Sequence, residues 1–297
     1  MRLFRSFLFV PGNRERMLAK ALTTDADALL FDLEDAVPDS EKDSALEMTV
    51  AFLLRATGLA VFVRISHPDV KRCQEELRRV VPLRPFGLFV PKVESAAEVQ
   101  QVDGWLTDLE REFEIARGSI LLVPMVESAK GLRQAFEISS ASARVGSIGL
   151  ASGENGDFQT DLGYEWSVGG VELQYSRSKL VVDSRAAGLE YPIDGVFADL
   201  ESEADLIAES LVSKRLGFKG RMVIHPKQIA AVNQVYSPTP EEIAYFQRLL
   251  QAFERAVDAG HGTVNFEGKM VDKAMAGRAR AVLALAGPQR SITDVTV

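Results

Sequence analysis

Ala28-Leu29-Leu30-Phe31-Asp32-Leu33-Glu34-Asp35 decides the fold. Four apolar residues run without a break, and three acids follow almost at once. A short continuous apolar run suits a strand covered on both faces, as in a parallel sheet wrapped by helices. Acids at its carboxyl end suit the side of such a sheet where ligands bind. The pattern recurs along the chain. Arg5–Val10, Ala28–Leu33, Ala60–Ile65, Gly87–Val90, Ile120–Met125, Val145–Leu150, Ile193–Ala198 and Arg221–Ile224 all read as strands. Helical patterns lie between and after them: Arg14–Leu22, Glu41–Thr57, Val70–Val81, Ala96–Ala116, Lys130–Ser140, Val171–Ala187, Glu201–Leu216 and Pro226–Tyr236. Asn13, Asp39, Ser95 and Ser128 stand where N-caps belong. This alternation predicts an α/β fold, a (β/α)8 TIM barrel. An open doubly wound sheet is the rival. Against it, the first turn, Val10-Pro11-Gly12-Asn13-Arg14, lacks the G-x-G-x-x-G fingerprint.

The barrel should occupy residues 1–236. Beyond it, Ser237-Pro238-Thr239-Pro240 starts a helix running to about Ala259, Thr263–Val271 reads as extended with a turn at Glu267-Gly268, and Lys273–Ala286 reads as a last helix. Residues 237–297 therefore form a C-terminal helical extension, a lid or oligomerisation element, with a frayed tail from Gly287.

Composition removes several classes of function. There are 34 Lys+Arg against 42 Asp+Glu, a net charge of -8. That argues against nucleic acid and anionic membrane as partners. No run reaches the roughly 18 apolar residues of a membrane span. Phe7-Leu8-Phe9-Val10 is too short for a signal peptide, and Cys73, the single cysteine, fits a reducing compartment. A cytoplasmic protein is expected. His67, His225 and His261 show no zinc spacing, and no serine-hydrolase elbow or P-loop is present. His225, before Pro226, reads as a structural residue rather than a base.

In a barrel the strand ends meet at one mouth. Asp32, Glu34 and Asp35 close strand two, Arg64 closes three, and Lys92 follows four. Glu127 closes five, Asp157 lies just past six, Asp199 closes seven and His225 eight. Glu127 and Asp157 make a carboxylate pair suited to Mg²⁺, with Mn²⁺ as an alternative ion. Arg64 would face the ion and stabilise developing negative charge. The competing reading has Glu127 capping the helix at Ser128 and Asp157 solvating a loop. Asp32, Glu34 and Asp35 need partners. They could accept hydrogen bonds from the metal's waters or pair with Lys92 or Arg5. Period-two alternation sets Glu34 beside Asp32 and opposite Asp35. Lys92 among so many acids should have a raised pKa, against a Schiff-base role. From Ala151 to about Gly170 the chain has five glycines and four acids, an abnormally long loop on the functional face.

The chain resembles the HpcH/HpaI aldolase and citrate lyase β-subunit/malyl-CoA lyase family. The resemblance rests on Arg5-Ser6-Phe7-Leu8-Phe9-Val10-Pro11-Gly12, Asp32-Leu33-Glu34-Asp35-Ala36-Val37, Val63-Arg64-Ile65, Val90-Pro91-Lys92 and Val126-Glu127-Ser128. It continues through Asp157-Phe158, Asp161-Leu162-Gly163, Ile224-His225-Pro226-Lys227-Gln228-Ile229 and Phe266-Glu267-Gly268-Lys269-Met270-Val271-Asp272. The resemblance implies a Mg²⁺-dependent lyase that cleaves a hydroxyacyl-CoA thioester to acetyl-CoA and a 2-oxo acid, with citramalyl-CoA or malyl-CoA favoured. It puts the metal on Glu127 and Asp157 and the substrate on Arg64. It assigns Asp272 a proton-transfer role, reaching from a C-terminal lid into a neighbouring subunit of a trimer or hexamer. Arg5, Arg14 and Lys20 are weaker candidates for CoA phosphates. Within the resemblance, the alternatives are a citrate lyase β subunit acting on a carrier-bound citryl thioester, a thioesterase or malate-synthase-like relative, and a non-catalytic binding subunit. Two departures flank the pocket: Ser66 and His67 stand where the family has Asn, and Ser152-Gly153-Glu154-Asn155-Gly156-Asp157 is longer by about two residues, which sets Glu154 beside Asp157 as a rival ligand.

Overall fold

A computed structural model describes residues 3–286. The expected frayed tail from Gly287 lies outside the described residues. The chain divides into two compact units that part after Gln234.

The first unit is a closed barrel of eight parallel strands in sequence order. They are β1 (Ser6–Pro11), β2 (Ala28–Asp32), β3 (Val61–Arg64), β4 (Gly87–Val90), β5 (Leu121–Val126), β6 (Gly149–Leu150), β7 (Ile193–Asp194) and β8 (Gly220–Val223). Pairing of Phe7 with Met222 returns the sheet to its start. The strands are buried almost throughout, as near-continuous apolar runs require. β6 and β7 are far shorter than the sequence predicts. Gly195 leaves the ladder because its N–H donates to the Ser152 hydroxyl (3.2 Å) rather than to a neighbouring strand.

The lower barrel is packed by aromatic rings. Phe4, Phe7, Phe62, Phe86 and Phe89 meet at centroid distances of 5.1–5.6 Å, mostly edge to face. Each such pair is worth about 0.5–1.5 kcal/mol beyond its burial. Phe4 and Phe86 precede β1 and β4, and Phe7 and Phe62 are the second residues of β1 and β3, so most of this packing lies away from the carboxyl ends that form the mouth.

Helices follow the strands. Two expected caps hold. Ser95 closes a capping box with Glu98, and Ser128 Oγ accepts from Gly131 N at 3.1 Å. Asn13 and Asp39 do not cap: Arg14 occupies the N-cap of Glu15–Ala21, and Asp39 sits inside a short 3₁₀ turn. The stretch 130–140 breaks into Ala129–Arg133 and Ala135–Ser139. The glycine-rich loop contains an unforeseen helix, Asp157–Leu162, which buries Phe158.

The second unit holds the helix Pro240–Asp258, the hairpin β9 (Val264–Phe266) and β10 (Lys269–Val271), and the helix Lys273–Ala284. Glu267 and Gly268 both take positive φ, as a two-residue hairpin turn demands. Leu249, Phe253, Val271, Ala276 and Ala279 form its core. Asp272 caps the last helix, its Oδ1 accepting from Met275 N at 3.0 Å. Among the described residues, no helix is long and apolar enough to cross a membrane.

Candidate active site

A cavity of about 420 Å³ opens at the carboxyl ends of the strands. Its polar wall includes Asp32, Asp35, Arg64, Glu127, Glu154 and Asp157, and its apolar wall includes Phe9, Met125, Val196, Met222 and Ile224. Glu127 and Asp157 also border an adjoining cavity of about 270 Å³, with Lys92, Glu94, Ser128 and Asp161. Asp199 and His225 are not among the lining residues. β7 ends five residues before Asp199, whose carboxylate turns back to accept from Glu201 N (2.8 Å). His225 Nδ1 accepts from Lys227 N (3.1 Å), a capping role.

Arg64 ends β3 beside Asp32, which ends β2, in register. Its Nε and Nη2 donate to the two Asp32 oxygens at 2.6 and 2.7 Å, and its Nη1 lies 3.1 Å from Glu34 Oε2. The guanidinium carbon sits 4.9 Å from the centre of the Phe9 ring. Burial would lower the Arg64 pKa, but Asp32 and Glu34 raise it. Two of the five guanidinium N–H groups are thus hydrogen-bonded to Asp32, and Nη1 is ion-paired with Glu34, leaving N–H donors for a ligand. Asp32 also accepts from the main-chain N–H groups of Glu34 (3.0 Å) and Ala36 (3.1 Å). The turn these bonds fold corrects the alternation argument. β2 stops at Asp32, so Asp35 comes round to line the cavity, and Glu34 and Asp35 both reach Lys92.

Lys92 takes φ +53, a left-handed conformation that costs a non-glycine residue about 1–2 kcal/mol. Its N–H donates to Glu127 Oε1 at 3.0 Å. Its ammonium lies 3.1 Å from Glu34 Oε1, 2.9 Å from Asp35 Oδ2 and 3.1 Å from Asp157 Oδ2. Burial acts to lower its pKa, but the surrounding carboxylates raise it. Asp35 is held below its ordinary value: burial opposes ionisation, and the Lys92 bond outweighs it. Glu34 is raised, mainly by burial.

Glu127 does not cap the following helix; Ser128 does. The Glu127 carboxyl is deeply buried, which pushes its pKa up to about 7 against the pull of Arg64 and the Lys92 N–H. Asp157 is the first residue of its short helix rather than a loop residue, and Asp161, one turn on, ties that helix to Ala129 N (2.6 Å).

The loop carrying Glu154 and Asp157 is moored from below. Ser152 is buried, and its hydroxyl donates to Asp194 Oδ1 at 2.8 Å. Asp194 and Glu209 face Arg177 and Arg221 in a fully buried quartet, with Arg177 Nη2 3.0 Å from Asp194 Oδ2 and 2.5 Å from Glu209 Oε1, and Arg221 Nη2 3.0 Å from Glu209 Oε2. The Asp194 pKa is lowered because the two arginines overcome the cost of burial. Sequence reasoning missed this quartet, although an Asp and an Arg inside the apolar runs of β7 and β8 were a signal for it.

The residues present fit a hard divalent ion. One oxygen of Glu127 and one of Asp157 is held by Lys92. Among the described residues, the other oxygen of each has no hydrogen-bond or ion-pair partner. No group of three or more His, Cys, Asp or Glu among the described residues could enclose an ion. Two carboxylates suit Mg²⁺, which keeps waters and takes substrate oxygens.

The weaker CoA candidates do not converge here. Arg5 precedes β1, at the closed end of the barrel, and is spent on Asp27 at 2.7 Å through both Nε and Nη2. Lys20 lies in the last turn of Glu15–Ala21, which runs away from the mouth. Arg14 is exposed and pairs with Glu41 at 3.3 Å.

The family model described as HpcH/HpaI aldolase/citrate lyase matches residues 5–226. The citrate lyase subunit beta of Leuconostoc mesenteroides subsp. cremoris is 36% identical over 287 residues, 96% of this chain and 94% of that one. The mitochondrial citramalyl-CoA lyase of Rattus norvegicus is 31% identical over 297 residues, covering 95% and 86%. The solved CitE protein of Mycobacterium tuberculosis, in complex with magnesium, acetoacetate and coenzyme A, superposes with a TM-score of 0.75 at 26% identity, covering 96% of this chain and 99% of that one.

Proposed function

The chain belongs to the HpcH/HpaI aldolase/citrate lyase family, and we propose that it is a Mg²⁺-dependent carbon–carbon lyase for a hydroxyacyl-CoA thioester of the citramalyl-CoA or malyl-CoA type. The reaction yields acetyl-CoA and a 2-oxo acid. The observation that carries this reading is the cavity lined together by Glu127, Asp157 and the buried Arg64, with one oxygen of each carboxylate free of hydrogen-bond and ion-pair partners among the described residues.

Glu127 and Asp157 would hold the ion. Bound there, Mg²⁺ supplies Lewis-acid polarisation of the substrate's hydroxyl and carboxylate oxygens. Arg64, locked by Asp32 and Glu34, offers its remaining N–H donors to the substrate carboxylate or the thioester enolate oxygen. Such a preorganised donor is worth about 10²–10³ in rate. Phe9, Met125, Val196 and Met222 exclude water from one side. Asp272 is proposed, from the family resemblance, as the group that exchanges a proton with the enolate carbon.

Charge bears on the choice of thioester. Arg64 is the one cation among the described residues lining the main cavity, against five carboxylates. A substrate with one free carboxylate finds its partner there, whereas the extra carboxylate of a citryl thioester finds none. Similarity to citrate lyase β subunits favours the second reading, a carrier-bound citryl thioester. Incubation with Mg²⁺ and citramalyl-CoA, malyl-CoA or a citryl thioester, scoring pyruvate, glyoxylate or oxaloacetate, separates them. Oxaloacetate alone would overturn the preferred substrate. Free CoA without acetyl-CoA would overturn the lyase reading. Asp272→Ala and Arg64→Ala chains that stay inactive when mixed would remove a contribution of Asp272 across subunits.

A further inference from the structure

Lys92 is the feature that the proposed chemistry leaves unexplained. It holds a costly left-handed backbone just past the end of β4 at Val90, and the next residue returns to the barrel wall, Val93 N–H donating to Met125 O at 3.0 Å. What the conformation achieves is a double contact. The main-chain N–H reaches Oε1 of Glu127, and the ammonium of the same residue reaches Oδ2 of Asp157. Glu34 and Asp35 hold the ammonium from the other side. Strained backbone that persists points toward function when a geometric consequence can be named.

We propose that Lys92 is a positioning residue that occupies one oxygen of each metal-binding carboxylate, so that Glu127 and Asp157 each offer a single oxygen to the ion. This rests on the metal reading above and goes beyond it. A carboxylate with both oxygens free can grip an ion through both, taking a coordination position that substrate needs. The ammonium also repels a divalent ion placed one carboxylate away. Lys92 therefore weakens resting metal affinity and keeps coordination positions open for the substrate's oxygens.

The test uses the full chain and Mn²⁺ alone, titrated calorimetrically above the pH at which Glu127 ionises. Lys92→Met keeps the N–H and removes the ammonium; it should bind Mn²⁺ about tenfold tighter, while kcat falls. Lys92→Arg keeps the positive charge beside the carboxylates and should not tighten binding. General structural damage would not tighten metal binding. A wild-type chain that binds no Mn²⁺, or binds it equally well after Glu127→Gln, overturns the metal reading and this proposal together. Wild-type binding that is lost in Glu127→Gln but unchanged or weakened in Lys92→Met overturns the Lys92 proposal alone.

Discussion

Asp194→Asn tests how the metal-bearing loop is held. Two arginines face two carboxylates in the buried quartet, so its charge is balanced. The substitution preserves shape and leaves one positive charge unmatched at a site with no solvent access. Breaking a buried pair in this way costs about 3–5 kcal/mol. Ser152→Ala removes the hydroxyl bond to Asp194 Oδ1, a bond to a charged group worth about 1.5–3 kcal/mol, along with the acceptor of the Gly195 N–H and Arg177 Nη2 bonds. Because both effects pass through one carboxylate, the double variant should cost less than the two singles added together. Urea unfolding followed by tryptophan fluorescence is the assay. Both tryptophans, Trp105 and Trp166, lie in the barrel unit, so the signal reports that unit and not the C-terminal one. A loss below about 1 kcal/mol for Asp194→Asn, or strict additivity in the double variant, would refute the argument that the quartet moors the loop.

Further consequences can be checked separately. Arg64→Lys cannot reproduce the paired bonds to Asp32 and should lower kcat/KM by about 10²–10³-fold; steady-state kinetics with the preferred thioester decides it. Gly195→Ala would set a methyl group 2.5 Å from Ser152 N, so the loop must move; a stability loss of about 1–3 kcal/mol is expected, with weaker Mn²⁺ binding. Glu76, buried under the turn after β3, accepts from Ser66 N and Oγ at 2.7 Å each, and burial raises its carboxyl to about 7. Between the ordinary glutamate value and about 7 the native chain keeps a proton that the unfolded chain releases. This contribution is therefore present at low pH and lost as pH rises through that window, by up to about 3 kcal/mol. Glu76→Gln should gain stability relative to wild type across the same window. Parallel Tm-against-pH curves for the two proteins would contradict this.

The barrel was legible because its strands are covered on both faces and so read as unbroken apolar runs. The mouth was legible for a related reason: charge gathers where several of those runs end, as at Asp32, Arg64 and Glu127. The limits of the reading are equally physical. Alternation holds only inside a strand, so it failed for Asp35, which lies beyond the end of β2. The helix Asp157–Leu162 has too few apolar positions, Phe158 and Leu162, to stand out among five glycines. The quartet escaped because arginine is usually a surface residue, and nothing local marks Arg177 as the partner of an aspartate in β7. Spacing left open whether Glu127 caps a helix, and the Ser128 hydroxyl settled it.

The phenylalanine plug at the base of the barrel imposes a rule of traffic. With Phe4, Phe7, Phe62, Phe86 and Phe89 packed together in the barrel, a ligand of the cavity comes and goes at the carboxyl ends of the strands. For the lyase reaction proposed above, the fragment lodged deeper in the cavity would then leave after the other.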